Sequence, residues 1–272
     1  MKPILVVGDV AAEIALRGLS GHPRRGHEVF VSAAELSAGG DGARFAAALG
    51  RLGRDVTFVG KVGKDELGDL LLKRFKGQRI SRDPRLKTGL RMSLRDDADA
   101  SVITSPGATA GFTMADLRAV TFRRYGHLHV ASPFQLLGLP LAPLVRKARA
   151  AGLTVSISAG NDPRGRGLAD LAPDVLLTDD PKGPRGTLTV LRRGEKGAQA
   201  FTGSGRWKAA GRGAGPVFDA AFIDGWLGGH RVHEILAYAG AAASLAAEEG
   251  VTPTRAEALH YVGRLNERKE RR

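Results

Sequence analysis

DVTFVGKVGKDELGDLLLKRFK, residues 55–76, decides how the rest of the chain is read. Its first part, DVTFVGKV (55–62), is a β-type run, and a helical pattern with apolar residues at three- and four-residue spacing follows over 65–76. The same unit recurs on both sides. ILVVGDV (4–10), HLHVAS (127–132), TVSIS (154–158), DVLLTD (174–179) and TLTVLRR (187–193) carry Val, Ile and Leu with little interruption, as strands covered on both faces do. Further helices are predicted at 40–52, 140–151, 217–228, 231–249 and 255–267. Alternating strands and helices predict an α/β fold with a doubly wound, mostly parallel sheet. Two stretches break the pattern, HEVFVSAAEL (27–36) and TGLRMSLRDDADASVITS (88–105), whose polar alternation predicts antiparallel strands forming a small β lid over one edge of the sheet. No repeat, low-complexity tract or linker divides residues 1–272, which read as a single domain.

Composition narrows the function. A chain of 272 residues with 43% hydrophobic content builds one large core and is not a disordered class. It contains no cysteine, which excludes disulfide scaffolds, thiolate metal sites and cysteine nucleophiles and fits a reducing cytosol. The opening MKPILVVGDV is apolar for only a few residues, a buried strand and not a signal peptide. No run approaches the roughly 18 apolar residues of a membrane span, so a cytoplasmic protein without a membrane partner is expected. The formal charge of +13 raises nucleic acid as a partner, but the arginines are spread along the chain. The one dense run, RLNERKERR at 264–272, also carries two glutamates. Binding of nucleic acid or another polyanion is therefore the weakest reading.

GRGAGPVFDAAFIDG (211–225) reads as a glycine turn running into a helix. Gly213, Ala214 and Gly215 are small enough to aim backbone N–H groups at an anion, and the helix dipole favours negative charge there. Small residues before a helix equally serve to pack it on a sheet. Pro216 suits the first helical turn, where a missing N–H costs nothing. Among the seven histidines, His127 and His129 share a strand face, with no carboxylate or further histidine placed to suggest a metal site. Ser132 and Gln135, just after that strand, border a pocket, and no Ser-His-Asp pattern stands out.

The opening strand, PRRGHEVFVSAAELSAGGDGARFAAALGRLG (23–53), VTFVGKVGKDELGDLLL (56–72), SPGATAGFTMADL (105–117) and GRGAGPVFDAAFIDGWL (211–227) together resemble the ribokinase-like (PfkB-type) carbohydrate kinases, in order and over nearly the whole chain. The resemblance implies a ribokinase-like α/β domain with a β lid, a homodimer formed through that lid, and phosphoryl transfer from ATP, with Mg, to a hydroxyl of a sugar, nucleoside or related polyol. It implies substrate contacts at Asp9, Glu13, Gly39, Gly40, Asp41 and Arg44, an anion hole at 213–215, and nucleotide contacts at Asp179, Arg192, Gly194 and Gly197. Arg193 shares with Arg192 the choice between phosphate contact and solvated strand-end charge.

Departures from the family pattern bear on the chemistry. Where relatives have a sugar-binding asparagine this chain has Arg44, which beside Asp41 hints at an acceptor carrying an anionic group, and Glu13 replaces an aspartate. The family's proton-accepting aspartate after Gly-Ala-Gly is Pro216 here, and proline cannot accept a proton. Asp219 lies one turn on, displaced by about 4–5 Å of axial rise, and is the possible substitute. Ala210 stands at another family aspartate, and Asp179 and Lys182 replace the asparagine and glutamate that organise magnesium, in a loop (PKGPRG, 181–186) that is shorter than in relatives. The expected function is thus a carbohydrate kinase with impaired transfer; the alternative is a pseudokinase that binds nucleotide or a small ligand without turnover.

Overall fold

The computed structural model of the protein describes residues 2–21, 23–95, 100–160, 168–183 and 186–270. Strand β1 (Ile4–Val7) buries all four of its side chains. It ends there because Gly8 abuts the backbone of Gly42, where an added Cβ would lie 2.9 Å from the Gly42 Cα. The chain then leaves the main sheet as β2 (Ala11–Arg17) and β3 (Ala33–Gly39) and returns through α1 (Asp41–Arg51), β4 (Val56–Gly63), α2 (Glu66–Arg74) and β5 (Arg79–Asp83). A second excursion, β6 (Gly89–Arg95) and β7 (Ala100–Ser105), precedes three short 3-10 turns. Then follow β8 (His127–Ala131), α3 (Leu141–Ala150), β9 (Thr154–Gly160), β10 (Val175–Thr178), β11 (Leu188–Arg192), β12 (Ala198–Phe201) and β13 (Arg206–Ala209). Helices α4 (Gly215–Leu227), α5 (Val232–Glu249) and α6 (Arg255–Glu270) close the chain.

The main sheet runs β13-β12-β11-β10-β9-β8-β1-β4-β5, parallel from β11 to β5 and antiparallel at β12 and β13. Because β1 pairs with both β4 and β8, strand order reverses at its carboxyl end, the place where open α/β sheets form a ligand crevice. One sheet face is covered by α1, α4 and α5 through Phe45, Phe218, Phe222 and Leu236; the other, under α3, is filled by Leu128, Leu144, Val155 and Ile157. Each fully buried side chain of this size contributes about 1.5–3 kcal/mol relative to exposure. α4 is buried almost all round, as expected of a helix sandwiched between a sheet and other helices. No helix among the described residues is long and apolar enough to cross a membrane.

The lid is a second sheet, β3-β2-β6-β7. Its register sorts side chains by face: Glu13, Arg91 and Thr104 stand in one row, and Leu36, Ile14, Met92 and Ile103 in the next. The first row faces the crevice, and the second puts exposed Leu36 and Ile103 on the outside. The lid stretches predicted at 27–36 and 88–105 are thus realised with shifts. The first strand runs 33–39, the second stretch forms a hairpin, and residues 96–99 lie outside the described residues. Strand β2, which the sequence hid behind the 4–10 run, belongs to the lid because Gly8 and Asp9 break the first strand. Strands β5 (RISRD), β12 and β13 (RWKA) were missed because they are short, partly polar strands at the sheet's ends, where charged side chains are tolerated.

Candidate active site

Asp9 follows β1 and accepts the backbone N–H groups of Asp41 and Gly42, each at 2.9 Å. It thereby satisfies the open start of α1, whose N-cap residue Gly40 has no side chain to do so. Gly40 sits at φ 95°, a left-handed conformation that suits glycine, and donates its N–H to Glu13 Oε1 at 3.1 Å. Glu13 also ion-pairs with Arg44, while Arg91 Nη1 reaches Asp41 Oδ1 at 3.1 Å. An added Cβ on Gly39 would strike the Glu13 side chain at 2.3 Å, so the Gly-Gly turn is packed on that glutamate. Among the described residues Arg44 and Asp41 do not pair with each other; the charges form two crossed pairs, Arg44 with Glu13 and Arg91 with Asp41. Arg91 was not singled out in the sequence because its facing depends on the β2–β6 register, which polar alternation alone does not give. Gln135 Nε2 donates to Asp9 Oδ2 at 3.4 Å, which places it at the pocket as expected.

Burial, and then the charge of Asp41, raise the Asp9 carboxyl from 3.8 to about 6. With a folded value above the unfolded one, the stability from this group is complete below about pH 4 and lost as pH rises through about 6. The amide resonances of Asp41 and Gly42, which Asp9 holds, are expected to titrate with a midpoint near 6; a midpoint near 4 contradicts this environment.

The glycine turn splits into two roles. Gly213 exchanges backbone hydrogen bonds with Gly194 (2.9 and 3.1 Å), and an added Cβ on it would lie 2.0 Å from the Gly197 carbonyl oxygen. Its N–H therefore holds the neighbouring turn and is not aimed at an anion, a correction to the three-residue cradle. Ala214 is the N-cap of α4, no side chain caps that end, and Gly215 (φ 80°) with Pro216 lines the cavity. The backbone cradle thus comes down to Ala214 and Gly215. Gly194 and Gly197 shape the turn that packs on Gly213, and Ala210 packs its carbonyl against Gly240 of α5.

The charged centre of the crevice is Arg192 at the end of β11. Its Nε and Nη2 bind the two oxygens of Asp179 at 2.8 and 3.0 Å, and its Nη1 reaches Asp219 Oδ2 at 2.6 Å. Ser158 Oγ donates to the same Asp219 oxygen. Burial works against the Arg192 charge, but Asp219 and Asp179 outweigh it and hold the guanidinium firmly protonated. Asp179 and Arg192, expected as nucleotide contacts, line the same 280 Å³ cavity as Asp41, Arg44, Arg91, Gly215, Pro216 and Asp219. A 680 Å³ space under the lid adjoins it through Asp41, Arg91 and Arg192 and is bordered by Ser132 and Gln135.

Asp219 is 2% exposed, and its Oδ1 has no hydrogen-bond partner among the described residues. Burial pushes its carboxyl up, against the pull of Arg192 and Ser158. Although it lies one turn further along α4, Asp219 lines the same cavity as Pro216.

A second space of 800 Å³ meets the first at Arg44, Gly215 and Pro216 and is lined by Arg51, Arg74, Arg212 and the Ala243–Ala247 face of α5. Its size, its four arginines and the start of α4 fit a nucleotide polyphosphate. The loop expected to organise magnesium fits less well. Both Asp179 oxygens accept from Arg192, Asp180 Oδ1 accepts the Lys182 N–H at 2.8 Å, and Lys182 is exposed.

The model of pfkB family carbohydrate kinases matches residues 1–155. An ATP-dependent ribose-1-phosphate kinase of Halopiger xanaduensis is 26% identical over 277 residues, covering 91% of this chain and 92% of that protein. A ribokinase of Lactococcus lactis is 31% identical over 114 residues, 40% of this chain and 37% of that one. Among solved structures, a ribokinase from Giardia lamblia superposes with a TM-score of 0.80 at 14% identity, covering 97% of this chain and 99% of the other. An Arabidopsis thaliana ribokinase complexed with ribose and ATP gives 0.73 at 21%, covering 96% and 98%.

Proposed function

This chain belongs to the pfkB family of carbohydrate kinases, and from that premise we propose that it phosphorylates a phosphorylated pentose with ATP, slowly, using Asp219 in place of the aspartate missing at position 216. The observation that carries the reading is the Asp219 carboxylate: buried, fixed through one oxygen by Arg192 and Ser158, without a hydrogen-bond partner among the described residues on the other, in a residue that lines the cavity beside Gly215 and Pro216. Arg44 and Arg91, which line this cavity paired with Glu13 and Asp41, support an acceptor whose anionic group takes the place of one of those carboxylates. So does a relative of matching length that is an ATP-dependent ribose-1-phosphate kinase.

In this reading the acceptor sugar lies between Asp41, Arg91 and Asp219, and its phosphate meets Arg44 or Arg91. ATP lies in the arginine-rich groove, its γ-phosphate at the amides of Ala214 and Gly215. An acceptor hydroxyl gives its proton to Asp219 Oδ1 while its oxygen forms a bond to the γ-phosphorus and the bond to the β-phosphate oxygen breaks, leaving ADP. The raised affinity of Asp219 for a proton suits it to that task, and Arg192 at its other oxygen opposes it. That opposition is why transfer is slow. It also favours the second reading, a nucleotide- or sugar-binding protein without turnover, in which the Arg192 pairing leaves Asp219 inert.

A coupled ADP-release assay over ribose 1-phosphate, ribose and adenosine tests both. Turnover is expected with ribose 1-phosphate, and Pro216→Asp is expected to raise kcat about 10-fold or more, since a carboxylate is well tolerated in a first helical turn. ADP release by neither form with any acceptor contradicts the kinase reading and leaves the non-catalytic one. The outer lid row of Leu36, Ile14, Met92 and Ile103 supports two copies meeting through their lids. Sedimentation of Ile103→Lys beside the native chain checks it: a shift from dimer to monomer is expected.

A further inference from the structure

Asp219 is not the only buried residue of the cavity lining with a polar atom that has no partner among the described residues. His127 and His129 project from one face of β8 toward β9. His127 Nδ1 lies 2.8 Å from Thr154 Oγ1, and its Nε2 lies 2.7 Å from Ser156 Oγ. Ser156 Oγ in turn lies 2.8 Å from His129 Nδ1. These contacts form one file of hydrogen bonds in which each hydroxyl has a single proton to give, so the direction of the whole file is set at its far end.

That end is Thr154, whose hydroxyl has the Gly126 carbonyl oxygen at 3.4 Å as an acceptor. A threonine that donates there accepts from His127 Nδ1–H. His127 Nε2 is then bare and takes the Ser156 proton, and Ser156 Oγ accepts from His129 Nδ1–H. In that direction the file ends with an unprotonated lone pair on His129 Nε2, an atom that meets no partner among the described residues. The ring cannot easily turn away, because it stacks on Phe45 with centroids 3.6 Å apart and planes 9° from parallel. His129 lines the same cavity as Asp219. Buried acceptors without donors are costly, and two of them on residues that line one cavity favour a ligand rich in hydroxyl donors.

We propose that His129 is a substrate-reading residue, whose Nε2 accepts a hydrogen bond from a sugar hydroxyl next to the one that Asp219 meets. The inference rests on the sugar-kinase reading above for its ligand class and deepens it by naming what selects the sugar. Burial, and after it His127 and Arg192, hold the His129 ring well below its ordinary proton affinity. A ring so disposed accepts a hydrogen bond but does not keep the proton, which leaves proton removal to Asp219. His127 on β8 and Arg192 on β11 act on its charge, and Asp219 on α4 lines the same cavity with Asp41, Arg44, Arg91 and Asp179.

Long-range proton–nitrogen spectra of unliganded protein labelled with 15N-histidine test the inference without any ligand. They are expected to show His129 neutral with its proton on Nδ1, and Ser156→Ala is expected to shift the proton toward Nε2. Binding is then measured for ribose 1-phosphate and its 2-, 3- and 5-deoxy analogues. One analogue is expected to bind about 10-fold or more weakly than the parent in the native protein, because a buried acceptor penalises a missing hydroxyl. In His129→Phe, which keeps an aromatic ring on Phe45, that gap is expected to close to about 2-fold. A proton on Nε2 in the unliganded native protein, or a gap that His129→Phe leaves unchanged, overturns the proposal. If ribose 1-phosphate does not bind, the substrate class falls, and the tautomer alone decides the case for His129.

Discussion

Asp219→Asn is expected to lower kcat about 10²–10⁴-fold with ribose 1-phosphate, with little change in KM, because it removes a proton acceptor that acts in the transition state. Asparagine keeps the shape of aspartate and one oxygen for Arg192 and Ser158, so the fold has no reason to collapse. The double variant Pro216→Asp/Asp219→Asn separates base loss from damage elsewhere. If residue 219 matters only as the base, a carboxylate supplied at 216 restores most of the lost rate. A kcat within about threefold of the native value in Asp219→Asn, measured per folded molecule, places the base elsewhere.

Arg192→Ala is expected to destabilise the protein by about 3 kcal/mol, within the range seen when one partner of a buried ion pair is removed. Most of that loss belongs to Asp219, which is buried; Asp179 is half exposed, and its share is screened by water. The pH dependence identifies the cause. Without Arg192 the Asp219 carboxyl is raised further, so the stability this group contributes in the variant is complete below about pH 4 and lost as pH climbs. The gap between native and variant, read from urea unfolding, should therefore narrow toward pH 4 and widen toward pH 8. A loss below about 1 kcal/mol, or one that ignores pH, means that Arg192 and Asp219 do not depend on each other.

The strand–helix alternation could be read in the sequence because central strands such as ILVV and HLHVA are covered on both faces and leave no polar gaps. The lid was read from polar alternation, but its strand ends shifted and β2 went unseen, since AAEIALR follows a buried strand with only Gly8 and Asp9 to mark the break. Within the site, Pro216, Asp219, Arg44 and the Gly-Gly turn were all visible as residues. What each one touches was not. Arg91 finds Asp41 only through the pairing of β6 with β2, and Arg192 finds Asp219 only once α4 is laid across the sheet. Spacing along a helix gives the rise from 216 to 219 but not that both residues border one cavity. The Thr154–His127–Ser156–His129 file is invisible in sequence for the same reason: its members lie on two strands whose register the sequence does not state.

In the proposed reaction the carboxylate at 219 meets the acceptor hydroxyl of an anionic sugar. A crystal structure with ribose 1-phosphate and a non-hydrolysable ATP analogue tests this. A ribose hydroxyl is expected within about 3.2 Å of Asp219 Oδ1, pointing toward the γ-phosphate at Gly215. A sugar whose reacting hydroxyl turns instead toward Pro216 with only water beside it, or a cavity that stays closed by the Arg192–Asp219 pair while ATP is bound, contradicts it.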